Sequence, residues 1–115
     1  MTYIFMAAHY PAEGRAGEVR EAMARMAAAM AGTPGLLEIG PWAECDGSRV
    51  VGISRWESKA AFDAAMPGSG VPSDVIHPGE RKPREYFHLE AVVEDSPGGE
   101  LGRWATRRVP ASEDR

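Results

Sequence analysis

Apolar and polar positions change period several times along the chain, and each change marks a new element. From Thr2 to Tyr10 apolar residues fill both alternation faces, Tyr3, Phe5, Ala7 and His9 on one and Ile4, Met6, Ala8 and Tyr10 on the other. A strand covered on both sides has this pattern. Pro11 to Gly14 breaks it. From Arg15 to about Ala31, Val19, Met23, Met26 (with Ala27) and Met30 recur at three- and four-residue steps, while Arg20, Glu21 and Arg25 lie off that line. The spacing predicts an amphipathic helix with a methionine-rich seam. Such seams are mostly adaptable core filling and less often a soft wall for a flat ligand. Gly32-Thr33-Pro34-Gly35 ends the helix with a glycine and a following proline.

Leu36 to Glu44 reads as a strand interrupted around Gly40-Pro41, which suggests a sheet edge or a bulge there. Asp46-Gly47-Ser48 is a turn signal, and Val50 to Trp56 returns as the third strand, so the two form a hairpin. Ser58 is a good N-cap for a short helix reaching about Met66, with Ala61, Phe62, Ala65 and Met66 on its apolar side. Residues 67–83 form a long connection rich in Pro, Gly and Ser, of the kind that serves as a lid or mobile segment. From Glu85 to Glu94 alternation resumes, with Phe87, Leu89, Ala91 and Val93 on one face and Tyr86, His88, Glu90 and Val92 on the other. This fourth strand is expected to turn His88 toward a dimer partner or solvent. Residues 96–115 are polar and open with Pro97-Gly98-Gly99. They are expected to be partly disordered or docked on a partner, leaving residues 1–95 as the folded domain.

The order strand, helix, strand, strand, helix, strand predicts an α+β, ferredoxin-like βαββαβ domain: a four-stranded antiparallel sheet with both helices on one face. Because the first strand is apolar on both faces, the uncovered face needs a second apolar surface. A second copy is the simplest supplier, so a homodimer with facing sheets is expected. Trp42, Trp104 or the tail are candidates to reach the partner.

Composition narrows the function classes. A chain of 115 residues suits one domain. Its net charge of −4 argues against a nucleic-acid or anionic-membrane binder, both of which need a concentrated basic surface. The one basic cluster, Arg103 with Arg107 and Arg108, falls in the polar tail and reads as solvated or partner-facing. Cys45 is the single cysteine, so no intramolecular disulfide is available, and the first residues lack the pattern of a signal peptide. A cytoplasmic protein is expected. Glu44 and Asp46 flank Cys45 and disfavour its thiolate, which makes it an incidental thiol.

Thr33-Pro34-Gly35-Leu36-Leu37, the strand end Arg55-Trp56-Glu57-Ser58 and the following Ala60-Ala61-Phe62 together resemble the antibiotic biosynthesis monooxygenase family, within the dimeric α+β barrel superfamily. The resemblance runs from Thr2 to about Met66 and loosely over the fourth strand. It implies cofactor-independent oxygenation of a flat aromatic or quinol-type molecule, begun by deprotonating a phenol or quinol in a cleft between sheet and helices. In the aromatic-oxidising branch the strand-end tryptophan belongs to that cleft, with an Asn four residues earlier and a Tyr six residues later. Trp56 matches, but the partner positions hold Gly52 and Phe62, which offer no polar group. The positions that serve the haem-degrading branch fall at about Ala7 and near Ala65, so haem is not expected. No dinucleotide or metal motif is present either.

Trp56, Phe62, Met23 and Met66 are therefore the expected cleft walls, with Gly52 on the floor. Trp56 has a second reading as a buried hinge residue packing helix to sheet. His9, at the end of the first strand, or His77, in the long connection, is the expected base, because imidazole titrates near neutrality. The alternative is a non-catalytic dimer that binds a small hydrophobic molecule, or a stress-related protein with no ligand.

Overall fold

The computed structural model describes residues 1–93. Six elements follow one another: β1 (Tyr3–His9), α1 (Ala16–Met30), β2 (Leu36–Ala43), β3 (Val50–Trp56), α2 (Lys59–Ala65) and β4 (Glu85–Glu90). The strands form one sheet in the order β2-β3-β1-β4, with every neighbouring pair antiparallel. This is the α+β, ferredoxin-like arrangement. β1 takes an inner position, as its two-sided apolar pattern requires.

Register divides the sheet into two faces. Phe5 lies opposite Ser54 on β3 and His88 on β4, and Ala7 lies opposite Gly52 and Tyr86. These residues share the face that carries the helices. Its core gathers Tyr3, Phe5, Ala7, Trp56 and Phe62. Trp56 is 0% exposed and Phe62 2%, and their rings meet edge to face at 5.6 Å, an arrangement that adds about 0.5–1.5 kcal/mol beyond area burial. The Ser58 hydroxyl accepts from the Ala61 N–H at 3.1 Å and caps α2, a contact of the kind that stabilises a helix by about 1 kcal/mol.

Three details differ from the sequence reading. β2 runs unbroken through Gly40-Pro41, and its register shift lies between Leu36 and Glu38. Pro41 is tolerated because β2 is an edge strand. β4 stops at Glu90 rather than Glu94; one further bond, from Ala91 N to Thr2 O at 2.9 Å, follows it. Finally, His88 faces the helices, not a dimer side, because its register partner is the inward-facing Phe5. Phe87 and Leu89 occupy the opposite face instead. The expectations for Trp104 and for residues 96–115 lie outside the described residues.

The second face has no helix over it. Ile4, Met6 and Ala8 of β1, Val51 and Ile53 of β3 and Phe87 and Leu89 of β4 share it by register. Trp42, opposite Val51, extends it on β2 and is 63% exposed. Among the described residues, no helix is long and apolar enough to cross a membrane.

Candidate functional site

A cleft of about 300 Å³ lies between the helix-side face of the sheet and the seam of α1. Phe5 and Ala7 of β1, Gly52 and Ser54 of β3 and Tyr86 of β4 line it from the sheet, while Met23, Met26, Ala27 and Met30 line it from α1. The methionine seam is thus a wall over the sheet, with Met30 also packed against the buried core. Met26 remains 55% exposed. A Cβ on Gly52 would lie 2.8 Å from Met23 Cε, so the missing side chain is what lets Met23 reach the strand.

Four of the residues singled out in the sequence meet at this cleft: His9, Met23, Gly52 and Met66. Trp56 and Phe62 do not line it. They fill the core beside it, and the buried-hinge reading of Trp56 matches its position. Its indole Nε1–H donates to Ser54 Oγ at 2.9 Å, and the Ser54 hydroxyl donates to Phe5 O at 3.4 Å. Ser54 is thus the polar side chain beside Trp56, placed on the same face by the two-residue period of β3. His77 is not among the lining residues either; its carbonyl accepts from the Glu80 N–H at 3.0 Å.

Two residues that the sequence reading passed over, Glu80 and Arg84, stand next to His9. Their segment is held against the end of β1 by a bridge between Pro11 and Glu80 and by bonds from Ala12 N to Gly79 O (2.8 Å) and from Arg81 N to Tyr10 O (2.7 Å). Lys82 Nζ sits 4.0 Å from the centroid of the Tyr10 ring, a cation–π contact that adds to this clamp. Arg84 holds the Glu80 carboxylate with both Nε (3.0 Å) and Nη2 (2.7 Å) to Oε2. On the other side, Glu80 Oε2 lies 3.4 Å from His9 Nδ1. The pair makes no hydrogen bond at this separation, and Nδ1 is the one buried side-chain polar atom without a partner among the described residues.

Electrostatics follow from this packing. Burial, reinforced by the Arg84 guanidinium, lowers the His9 pKa from its usual 6.5, while Glu80 pulls the other way. His9 is therefore a neutral imidazole near pH 7, able to accept a proton. For Glu80, burial acts to raise the pKa, but the bonds from Arg84 and the nearby His9 outweigh it and hold the carboxyl below 4.5. Both His9 and Arg84 border the cleft.

The stretch from Met66 to Val71 also lines the cleft. His88 fastens it. The Tyr3 hydroxyl bonds to His88 Nδ1, and His88 Nε2 lies 3.2 Å from Gly70 O. With the phenol donating to Nδ1, the neutral ring carries its proton on Nε2 and donates it to the carbonyl. Gly70, at φ +77°, packs so closely that a Cβ there would lie 2.6 Å from both the His88 ring and Phe5. Among the described residues no cluster of three or more His, Cys, Asp or Glu is placed to hold a metal ion.

A family profile described as antibiotic biosynthesis monooxygenase matches residues 2–68, more than half of the chain. Among solved structures, Rv0793 from Mycobacterium tuberculosis superposes with a TM-score of 0.63 at 17% identity, covering 84% of this chain and 100% of its own. The haem degrader MhuD (Rv3592) of the same organism, solved with two haems in its active site, gives 0.62 at 22% identity, covering 82% and 99%. A mutant of SnoaB, a cofactor-independent oxygenase from Streptomyces nogalater, gives 0.60 at 20% identity, covering 81% and 95%. These likenesses concern the fold. Among curated proteins there is no match.

Proposed function

The chain belongs to the antibiotic biosynthesis monooxygenase family, and on that premise we propose that it is a cofactor-independent monooxygenase acting on a flat aromatic or quinol-type molecule. The observation that carries this reading is one cleft with apolar walls that is bordered by a buried histidine. Met23, Met30, Phe5 and Tyr86 offer flat, soft surfaces to a ring and keep water from it. His9 supplies the base. The ligand hydroxyl gives its proton to the imidazole, and the electron-rich anion left behind passes one electron to molecular oxygen. The resulting radical pair combines into a carbon-bound peroxide, the imidazolium returns its proton to give the hydroperoxide, and loss of water with the hydrogen on that carbon leaves a carbonyl, so one oxygen atom enters the product and the other departs as water. SnoaB, described as a cofactor-independent oxygenase, shares the fold, which is consistent with such chemistry but does not choose a substrate.

In this reading the protein works as a homodimer with its open sheet faces together, burying Trp42, Ile53, Phe87 and Leu89. Exposure of 63% at Trp42 and 48% at Leu89 supports it, since contiguous exposed apolar surface of this kind marks an interface. We place it in the cytoplasm, in keeping with the exposed, unpaired Cys45.

Oxygen uptake with anthrone, without added cofactor, is the test. The wild-type chain is expected to consume oxygen and His9→Ala to lose most of that rate. Equal rates in the two proteins would remove His9 as the base. A non-catalytic binder is the second reading, favoured by the apolar character of Gly52 and the burial of Phe62 away from the cleft. Anthrone binding without oxygen uptake would decide for it.

A further inference from the structure

We propose that Glu80 is a positioning residue for His9: it holds the imidazole with its proton on Nδ1, so that Nε2 accepts a proton from a neutral, weakly acidic hydroxyl on a flat ligand. The ligand part of this inference rests on the reading above; the Glu80 part does not.

The geometry that points to it is a line of three side chains. His9 borders the cleft. Behind it, Glu80 Oε2 is 3.4 Å from Nδ1, and no other described group offers that buried nitrogen a bond. An unpaired buried nitrogen is costly, and the facing acceptor is a carboxylate whose side chain is only 2% exposed. A proton on Nδ1 satisfies both groups after a small approach of the ring. A proton on Nε2 would instead set the Nδ1 lone pair against the carboxylate oxygen, and repulsion disfavours that tautomer.

Arg84 completes the arrangement. Its Nε and Nη2 hold Glu80, which keeps the carboxylate charged and stops it from taking the proton itself. The charged and titratable groups that bear on His9 are Arg84, Glu80 and His77. In the proton transfer the ligand O–H bond breaks and the Nε2–H bond forms. The electron pair stays on the ligand oxygen, and the new imidazolium lies between that anion and Glu80. Because the Arg84 charge is already matched by Glu80, the site suits a ligand that enters neutral, such as a phenol, hydroquinone or enol, rather than a carboxylate.

The experiment has two arms on the full-length chain. Long-range proton–nitrogen NMR near neutral pH reads the His9 tautomer directly. The expected result is the Nδ1–H form in the wild type and its loss in the Glu80→Met, Arg84→Met double variant, which removes both charges together. A wild-type ring protonated on Nε2 overturns the proposal without any variant, and so does an unchanged tautomer in the double variant. The second arm binds 7-hydroxycoumarin, a flat phenol whose anion has its own absorption and fluorescence. The same double variant is expected to lower the bound anion-to-neutral ratio about tenfold, equivalent to one pKa unit. An unchanged ratio shows that Glu80 does not support the proton transfer and overturns that half. If 7-hydroxycoumarin fails to bind the wild type, the reading of the cleft as a phenol site falls, and the tautomer still decides the role of Glu80.

Discussion

Gly35 packs so tightly on Ala61 that a Cβ on the glycine would lie 2.5 Å from the alanine Cβ. Next to this contact the Glu57 N–H donates to Gly35 O at 2.8 Å. The Pro-Gly turn and the Trp-Glu-Ser strand end, which carry the family resemblance, thus touch each other across the hairpin and the start of α2. They mark a joint in the fold, which explains why they identify the family better than any reaction.

Gly35→Ala is expected to destabilise the protein by about 2–5 kcal/mol. The left-handed φ of +83° contributes about 1–2 kcal/mol for a non-glycine residue, and the overlap with Ala61 contributes about 1–3 kcal/mol as overpacking. Adding Ala61→Gly should restore only the second part. Denaturant unfolding of the two single variants and the double variant measures the split.

Trp56→Ala should cost about 3–5 kcal/mol, as for a large aromatic removed from a filled core, and should leave the Ser54 hydroxyl without its indole donor. Met23→Ala should cost much less, since Met23 is half-buried at the cleft, yet change the affinity for a flat phenol. Thermal unfolding and ligand titration of both variants separate core from wall. The opposite pattern would return Trp56 to the cleft.

Stability should fall in acid in two steps. The folded pKa of His9 is below 6.5, chiefly through burial, so between that folded value and 6.5 the unfolded chain binds a proton that the folded one does not. The stability is full above about pH 6.5 and is lost as pH falls through this window, by up to about 1.4 kcal/mol per pH unit. The Glu80 pKa is held below 4.5 by Arg84 against the opposing effect of burial, so its contribution is present above about pH 4.5 and lost below. Denaturation curves across pH, repeated with His9→Gln, should lose the first step and keep the second.

Replacing His88 with Ala removes the link between Tyr3 and Gly70. Amide hydrogen exchange at Gly68, Ser69 and Gly70 is expected to quicken several-fold, while the core of β1 keeps its protection. Uniform exchange in both proteins would mean that the tie does not hold this stretch against the sheet.

A charge at the centre of the open sheet should prevent pairing of two copies. Val51→Glu is expected to give a folded monomer in analytical ultracentrifugation where the wild type sediments as a dimer. A wild-type monomer at micromolar concentration would sink the facing-sheet assembly.

The sequence by itself determined the elements and the sheet. The two-sided apolar pattern of β1 placed it inside, and the helical step of Val19, Met23 and Met30 set the face that α1 turns to the sheet. The period of β3 put Gly52, Ser54 and Trp56 on one side. These properties are local, fixed by backbone geometry within a few residues, and so they can be read along a line. The tertiary structure decided what each side chain does. Whether Trp56 lines a cleft or fills a core depends on how far α2 leans on the sheet, and the side that β4 presents depends on its register with β1. Glu80 and Arg84 lie in the last part of a Pro- and Gly-rich connection with no period at all. Only the docking of that segment on Tyr10, Pro11 and Ala12 brings them to His9, a meeting between positions about seventy residues apart in the chain, which no local pattern encodes.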